Sequence, residues 1–169
     1  MHGYQWLDEL EAYCFTASVG LSPDEATRRL GGSLSAGRRT FAECFWPADG
    51  PQWAQIGPAG EGLLLAEHNG WRAEEVIGSL SQGARIACFF RNVHAEMHFV
   101  YAVDGRVMAE FDPLLERAPQ SVGAADLPFG LFGAEASAVT LLERLTGVRV
   151  APAWLDTPQR CVALPPLDS

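Results

Sequence analysis

Asp104-Gly105, set between HFVYAV (98–103) and RVMAEF (106–111), restricts the fold of this chain more than any other feature. A two-residue type I′ turn needs positive φ at both central positions, which Asp-Gly tolerates well. The flanking runs are aromatic and β-branched, and ARIACFFRNV (84–93) precedes them with the same character. Three consecutive antiparallel strands are therefore predicted. A two-residue turn pairs 103 with 106, 101 with 108 and 99 with 110. The opposite face then carries His98, Val100, Ala102, Val107, Ala109 and Phe111, an apolar face with one histidine at its end.

Punctuation places the other elements. In SPDEATRRLGG, Ser22 caps a helix, Pro23 suits its first turn, and Glu25 stands where a capping box requires it. Asp24 and Glu25 face the positive end of the helix dipole, Arg28 and Arg29 the negative end, and Gly31 closes it. YQWLDELEAYCFTAS (4–18) puts Trp6, Leu10, Tyr13 and Cys14 on one stripe, so an amphipathic helix is expected there. GGSLSAG (31–37) reads as a loop. Strands are expected at 40–45 and 53–57, broken by Pro47, Gly50, Pro51 and Pro58. GLLLAE (62–67) reads as a short buried strand, WRAEEVIGSLSQG as a helix ending at Gly83, and 134–146 as a helix ended by Gly147. One or two short strands follow in the tail, whose last few residues are expected to be loose. No repeat or long linker divides the 169 residues. The expected fold is a single α+β domain over residues 1–169. An antiparallel sheet of about five strands, built around 85–112 and joined by 62–67, carries the helices.

Charge narrows the partners. The formal net charge is −9, and all twelve basic residues are arginines scattered along the chain. Such a surface repels phosphate backbones, which argues against nucleic acid and anionic membranes and leaves a basic protein partner open. No apolar run approaches the ~20 residues of a membrane span, and the acidic N-terminus does not resemble a signal peptide. Cys14, Cys44, Cys88 and Cys161 form no CxxC pair, so buried free thiols in a reducing compartment, the cytoplasm, are expected.

Two stretches carry candidate chemistry. RNVHAEMHF (91–99) brings His94, Glu96 and His98 into five positions. A loop of four residues, 94–97, pairs Val93 with His98 and leaves His94 at the tip, so the imidazoles do not converge and no metal is expected. AEHNGW (66–71) ends a strand before a helix, where loops often hold ligands. Glu67 and His68 are there as a candidate base and partner, joined by His98 if the protein is an enzyme, with Asn69, Trp71 and Tyr101 as ligand-binding candidates. Plain turn chemistry at Asn69-Gly70, with Trp71 packed on the sheet, is the simpler account. The five tryptophans, Trp6, Trp46, Trp53, Trp71 and Trp154, are read mainly as core. No nucleophile elbow, P-loop, HExxH or dinucleotide fingerprint occurs, and no cofactor is expected.

AYCFTASVGLSPDEATRRLGG, LLLAEHNGW with EEVIGSLSQG, and VYAVDGRVMAEFDP together resemble an uncharacterised actinobacterial family of small proteins, a domain of unknown function, over residues 4 to 147. The resemblance implies no activity and no catalytic residue. Small size, an acidic surface and the lack of a catalytic motif point to a non-catalytic binding module acting through a protein partner, in a regulatory, accessory or immunity-like role. The alternative is a cofactor-free enzyme or small-ligand binder, of the kind found in specialised metabolism, with a pocket near Glu67, His68, Trp71 and His98.

Overall fold

A computed structural model describes residues 2–44, 51–68 and 70–165. The Asp104-Gly105 turn forms as its sequence dictates, with φ of 49° and 82°. It joins β6 (Met97–Val103) to β7 (Arg106–Phe111), and β5 (Arg85–Arg91) precedes them. The expected three-stranded unit is the right-hand part of a larger sheet. The other strands are β1 (Tyr13–Val19), β2 (Ser33–Arg39), β3 (Gln52–Ala59), β4 (Gly62–His68) and β8 (Gln159–Leu164). All eight pair antiparallel in the order β2-β8-β3-β4-β1-β5-β6-β7. The sheet therefore has eight strands among the described residues, not about five.

The extra strands lie where sequence periodicity misleads. Residues 13–19 are the central strand β1, not the second half of a helix, and a 3-10 helix, His2–Glu9, precedes it. Tyr13, Phe15, Ala17 and Val19 alternate with Cys14, Thr16 and Ser18 as a strand requires, and six of the seven positions are buried; the helical stripe through Trp6, Leu10, Tyr13 and Cys14 masks that period of two. GGSLSAG contributes to β2, an edge strand paired only to β8, where polar residues and glycine are tolerated on the open side. The strand expected at 40–45 is instead the short 3-10 helix Ala42–Cys44, and residues 45–50 fall outside the described set. Pro58 does not break β3. The pairing with β8 covers Gln52 to Ile56 only, so at Pro58 no donor is required on that side.

Among the described residues five α-helices cover the sheet: α1 (Pro23–Leu30), α2 (Arg72–Glu75), α3 (Ile77–Leu80), α4 (Ala134–Thr146) and α5 (Pro152–Asp156). In α1, Ser22 Oγ accepts the Glu25 N–H at 3.1 Å and Gly31 adopts φ 76°. Glu25 completes only half of the capping box, because its carboxylate pairs with Arg28 and Arg29 instead. The helix expected from Trp71 to Gly83 is interrupted at Val76, whose φ of −114° is not helical. One face of the sheet packs Leu65, Ile56, Ile86 and Val162 under α1 to α3 with Leu30, Ala73 and Leu80. The other packs Phe15, Phe89, Phe99 and Phe111 under α4 with Leu141 and Leu142. Tyr13 and Phe15 stack at 4.6 Å at the centre of that second core. Trp6, Trp53, Trp71 and Trp154 are half-buried rather than core, and Trp46 lies outside the described residues.

Gln55, fully buried on β3, fixes one end of the second layer. Its Nε2 group faces the carbonyls of Arg39 (3.1 Å), Leu155 (3.0 Å) and Thr157 (3.3 Å), drawing β2 and α5 onto the sheet. Replacing it with leucine keeps the volume and removes the donor shared by those carbonyls, leaving Leu155 O with the Phe41 N–H at 2.8 Å. We expect Gln55→Leu to lower the unfolding free energy by about 1–3 kcal/mol, read as a shift of the urea midpoint at unchanged slope.

Candidate functional site

Strand alternation separates the residues expected to act together. Glu67 and His68 are neighbours on β4 and therefore point to opposite faces. Glu67 lies in a row that crosses the sheet through directly paired residues: Ala54, Glu67, Cys14, Phe90 and His98. His68 lies on the other face, its ring 4.6 Å from that of Phe41, where burial lowers its pKa. Tyr101 shares the face of Phe99, so it cannot join Glu67 or His98. Asn69 lies outside the described residues. Trp71 stands edge-on to Phe90 at 5.4 Å. Of the expected set, then, Glu67, Trp71 and His98 share a face.

That face is engaged in holding the fold. The fully buried Glu67 carboxylate accepts the N–H groups of Arg72 (2.6 Å) and Ala73 (3.1 Å), capping α2 from the strand beneath it. Burial pushes its pKa up to about 7, against the pull of those two donors and the Cys14 thiol. Arg72 Nε in turn donates to Leu30 O at 2.8 Å, holding the last residue of α1. His98 lies between two carboxylates: Nδ1 meets Glu74 of α2, and Nε2 is 2.9 Å from Glu110 of β7. The Glu74 bond, ahead of burial, raises the imidazole pKa.

The hairpin tip also differs from expectation. Arg91 pairs with Met97 and Phe90 with His98, so the loop is five residues, 92–96, rather than four. Asn92 organises it, its Oδ1 accepting the N–H groups of His94 (2.9 Å) and Glu96 (3.0 Å). Ala95 takes a left-handed φ of 59°, a region that favours glycine or asparagine. His94 is exposed at the tip while His98 is held by Glu74 and Glu110. Among the described residues no group of three or more His, Cys, Asp or Glu side chains could hold a metal ion. The expected register of β6 and β7 also fails beyond Ala102. Val107 pairs with Ala102 but Ala109 with Tyr101, which makes Met108 a bulge. Ala109 and Phe111 thus turn to the Phe99 face, and Glu110 takes its place beside His98.

A cleft elsewhere gathers residues that sequence reasoning missed. The N-terminal 3-10 helix supplies Tyr4, Gln5, Leu7 and Asp8, β6 supplies Met97, and the approach to α4 supplies 131–136; together they line about 220 Å³. Glu135, in the first turn of α4, accepts the buried Tyr13 hydroxyl and lies 3.5 Å from Arg91 Nε. Arg91 is itself fixed by the carbonyls of Leu10 (3.0 Å) and Glu11 (2.6 Å). Burial raises the Glu135 pKa, against the pull of Tyr13 and Arg91, and Asp8 adds to the rise. Above the cleft, Leu131 is 77% and Phe132 99% exposed. The apolar pair before Gly133 was the available signal. Nothing local marks Glu135 as the partner of a tyrosine 122 positions away. Four clefts among the described residues are lined by residues other than Glu67, His68, Trp71 and His98.

A family of unknown function, DUF6461, matches the chain over residues 1–126. The chain belongs to that family. No curated protein and no solved structure matches it. The DUF6461 match takes in the whole polar row from Glu67 to Glu110, the Tyr4 and Asp8 side of the cleft, and Tyr13 and Arg91, the partners of Glu135. It stops short of Leu131, Phe132, Glu135 and α4. The helical elements contain no span long and apolar enough to cross a membrane among the described residues.

Glu67 and His98 in the polar row each make stability fall with rising pH between pH 4 and 9. Glu67 has a raised folded pKa, so it disfavours the folded state progressively from the ordinary carboxylate value of 4.5 up to about 7. His98, also raised, stabilises fully below its ordinary 6.5, and this contribution is lost as pH climbs through the higher folded value. Chemical denaturation across pH 4 to 9 should show Glu67→Gln flattening the acid half of this slope and His98→Gln the alkaline half.

Proposed function

We propose that this protein is a non-catalytic binding module and that the cleft beside α4 receives a partner segment joining a basic side chain to an apolar one. The observation that carries the reading is Phe132, almost wholly exposed beside Leu131 at the mouth of a cleft that holds the carboxylates of Asp8 and Glu135. Covering one such ring is worth about 1.5–3 kcal/mol, and a solvent-facing aromatic next to carboxylates suits an arginine or lysine through both charge and cation–π attraction. The net charge of −9 favours approach of a basic partner at long range. A regulatory, accessory or immunity-like role fits a module of this size. Four free, buried thiols support a reducing setting, the cytoplasm.

The enzyme alternative near Glu67, His68, Trp71 and His98 draws no support from the geometry, since Glu67 caps a helix and His68 lies across the sheet. A displayed peptide library selected on the intact chain tests the binding reading. Peptides with arginine or lysine within a few residues of leucine or phenylalanine should be enriched. Phe132→Ala and Asp8→Asn should each weaken them by about tenfold, the effect of one interface anchor. Absence of enrichment, or equal binding to both variants, would overturn the proposal.

A further inference from the structure

Leu115 is 79% exposed and joins Leu131 and Phe132 as an open apolar side chain. The three are not scattered. The Gly130 N–H donates to Pro113 O at 3.0 Å, which ties the turn carrying Leu115 to the turn carrying the other two. Both turns are internally bonded. Asp112 Oδ1 accepts the N–H groups of Leu114 (2.8 Å) and Leu115 (3.2 Å), and the Glu116 N–H closes on Asp112 O at 2.8 Å. Gly130 O accepts the N–H groups of Gly133 (3.2 Å) and Ala134 (3.0 Å). Large apolar side chains held out on two joined turns make the kind of patch that marks an interface, and because they are held in advance they lose little freedom when covered.

Charge of opposite sign flanks this patch. Leu131 lines the cleft that holds Asp8 and Glu135, whereas Phe129, two residues earlier, lines a second cleft together with Arg117. Residues 129–131 therefore divide an acidic side from a basic one. Asp8 and Arg117 are both exposed, and neither has an ion-pair partner among the described residues. Glu116, next to Arg117, instead accepts the Asp112 N–H at 3.0 Å. With Leu115 two positions before it, Arg117 is itself a basic side chain beside an apolar one, the combination that the cleft next to α4 suits.

Resting on the reading of that cleft as a docking site, we propose that its occupant is a second copy of this chain. A two-fold axis through residues 129–131 exchanges the two flanks. Arg117 of one protomer then meets Asp8 of its partner, and the reverse, while Leu115, Leu131 and Phe132 of the two copies cover one another. A patch flanked by one sign of charge alone could not pair with itself in this way, and a two-fold contact closes at two chains. The net charge of −9 opposes a second copy at long range. Its reach is only about 8 Å at physiological salt, and the charges brought into contact are of opposite sign.

Sedimentation equilibrium of the intact chain tests this, at about 0.15 M salt and from about 1 to about 200 µM chain. The mass should rise from one chain to two and stop there. Arg117→Asp and Asp8→Arg, both at exposed positions, should each weaken the pair by about tenfold, as should Phe132→Ala. Combining Arg117→Asp with Asp8→Arg exchanges the two charges and should restore it. A chain that stays single over the whole range, growth beyond two, single variants that pair as well as the parent, or a double variant no tighter than the singles would each overturn the self-pairing. The cleft is judged separately. Basic–apolar peptides still selected by a chain that stays single would leave its docking role intact and remove only the second copy as occupant. Failure to select them at about 0.1 µM chain, where it is single, would remove both.

Discussion

Glu67 ties the central sheet to the layer above it. Its carboxylate takes the first two free N–H groups of α2, which fixes where that helix begins and therefore where Glu74 and Arg72 project. Arg72 reaches back to the end of α1, and Glu74 reaches forward to His98, which in turn meets Glu110 on β7. One buried acid thus starts a polar path from the end of α1 to the edge of the sheet. A helix of four residues is too short to be stable on its own. Its place depends on the strand beneath, which is why so polar a residue is kept in so apolar a position.

The Asp104-Gly105 turn and the caps of α1 were legible because they rest on local chemistry. Asp104-Gly105 needs nothing beyond itself to turn the chain, and Ser22 and Gly31 bound α1 from within eleven residues. β1 was missed because its period of two, Tyr13, Phe15, Ala17 and Val19 against Cys14, Thr16 and Ser18, overlaps a helical stripe that runs on from Trp6 and Leu10. The bulge at Met108 had no mark either: its register depends on which ring, Phe111 or another, best fills the space beside Phe99 and Phe129.

Site chemistry was harder to read than the fold for a related reason. Charged and aromatic residues close in sequence, as in AEHNGW, are thrown to opposite sides of a strand. Those that meet come from distant segments: Tyr13 with Glu135, Cys14 with Cys88. The sequence singles out Glu67, Trp71 and His98 as unusual. What it cannot convey is that their unusual character serves the architecture, while the open cleft lies on the other side of the sheet with Tyr13 and Phe99.

The bulge has a consequence for how this protein keeps to itself. β7 is a free edge whose unpaired backbone groups could template another strand, and Val107 and Met108 on it are exposed. An extra residue at Met108 breaks the regular spacing of donors and acceptors along that edge and adds twist. Arg106 and Glu110 place opposite charges on either side of the interruption. A strand arriving in register with Arg106 and Val107 would be out of register by Ala109. The same irregularity that delivers Phe111 to the core makes the sheet a poor seed for endless growth.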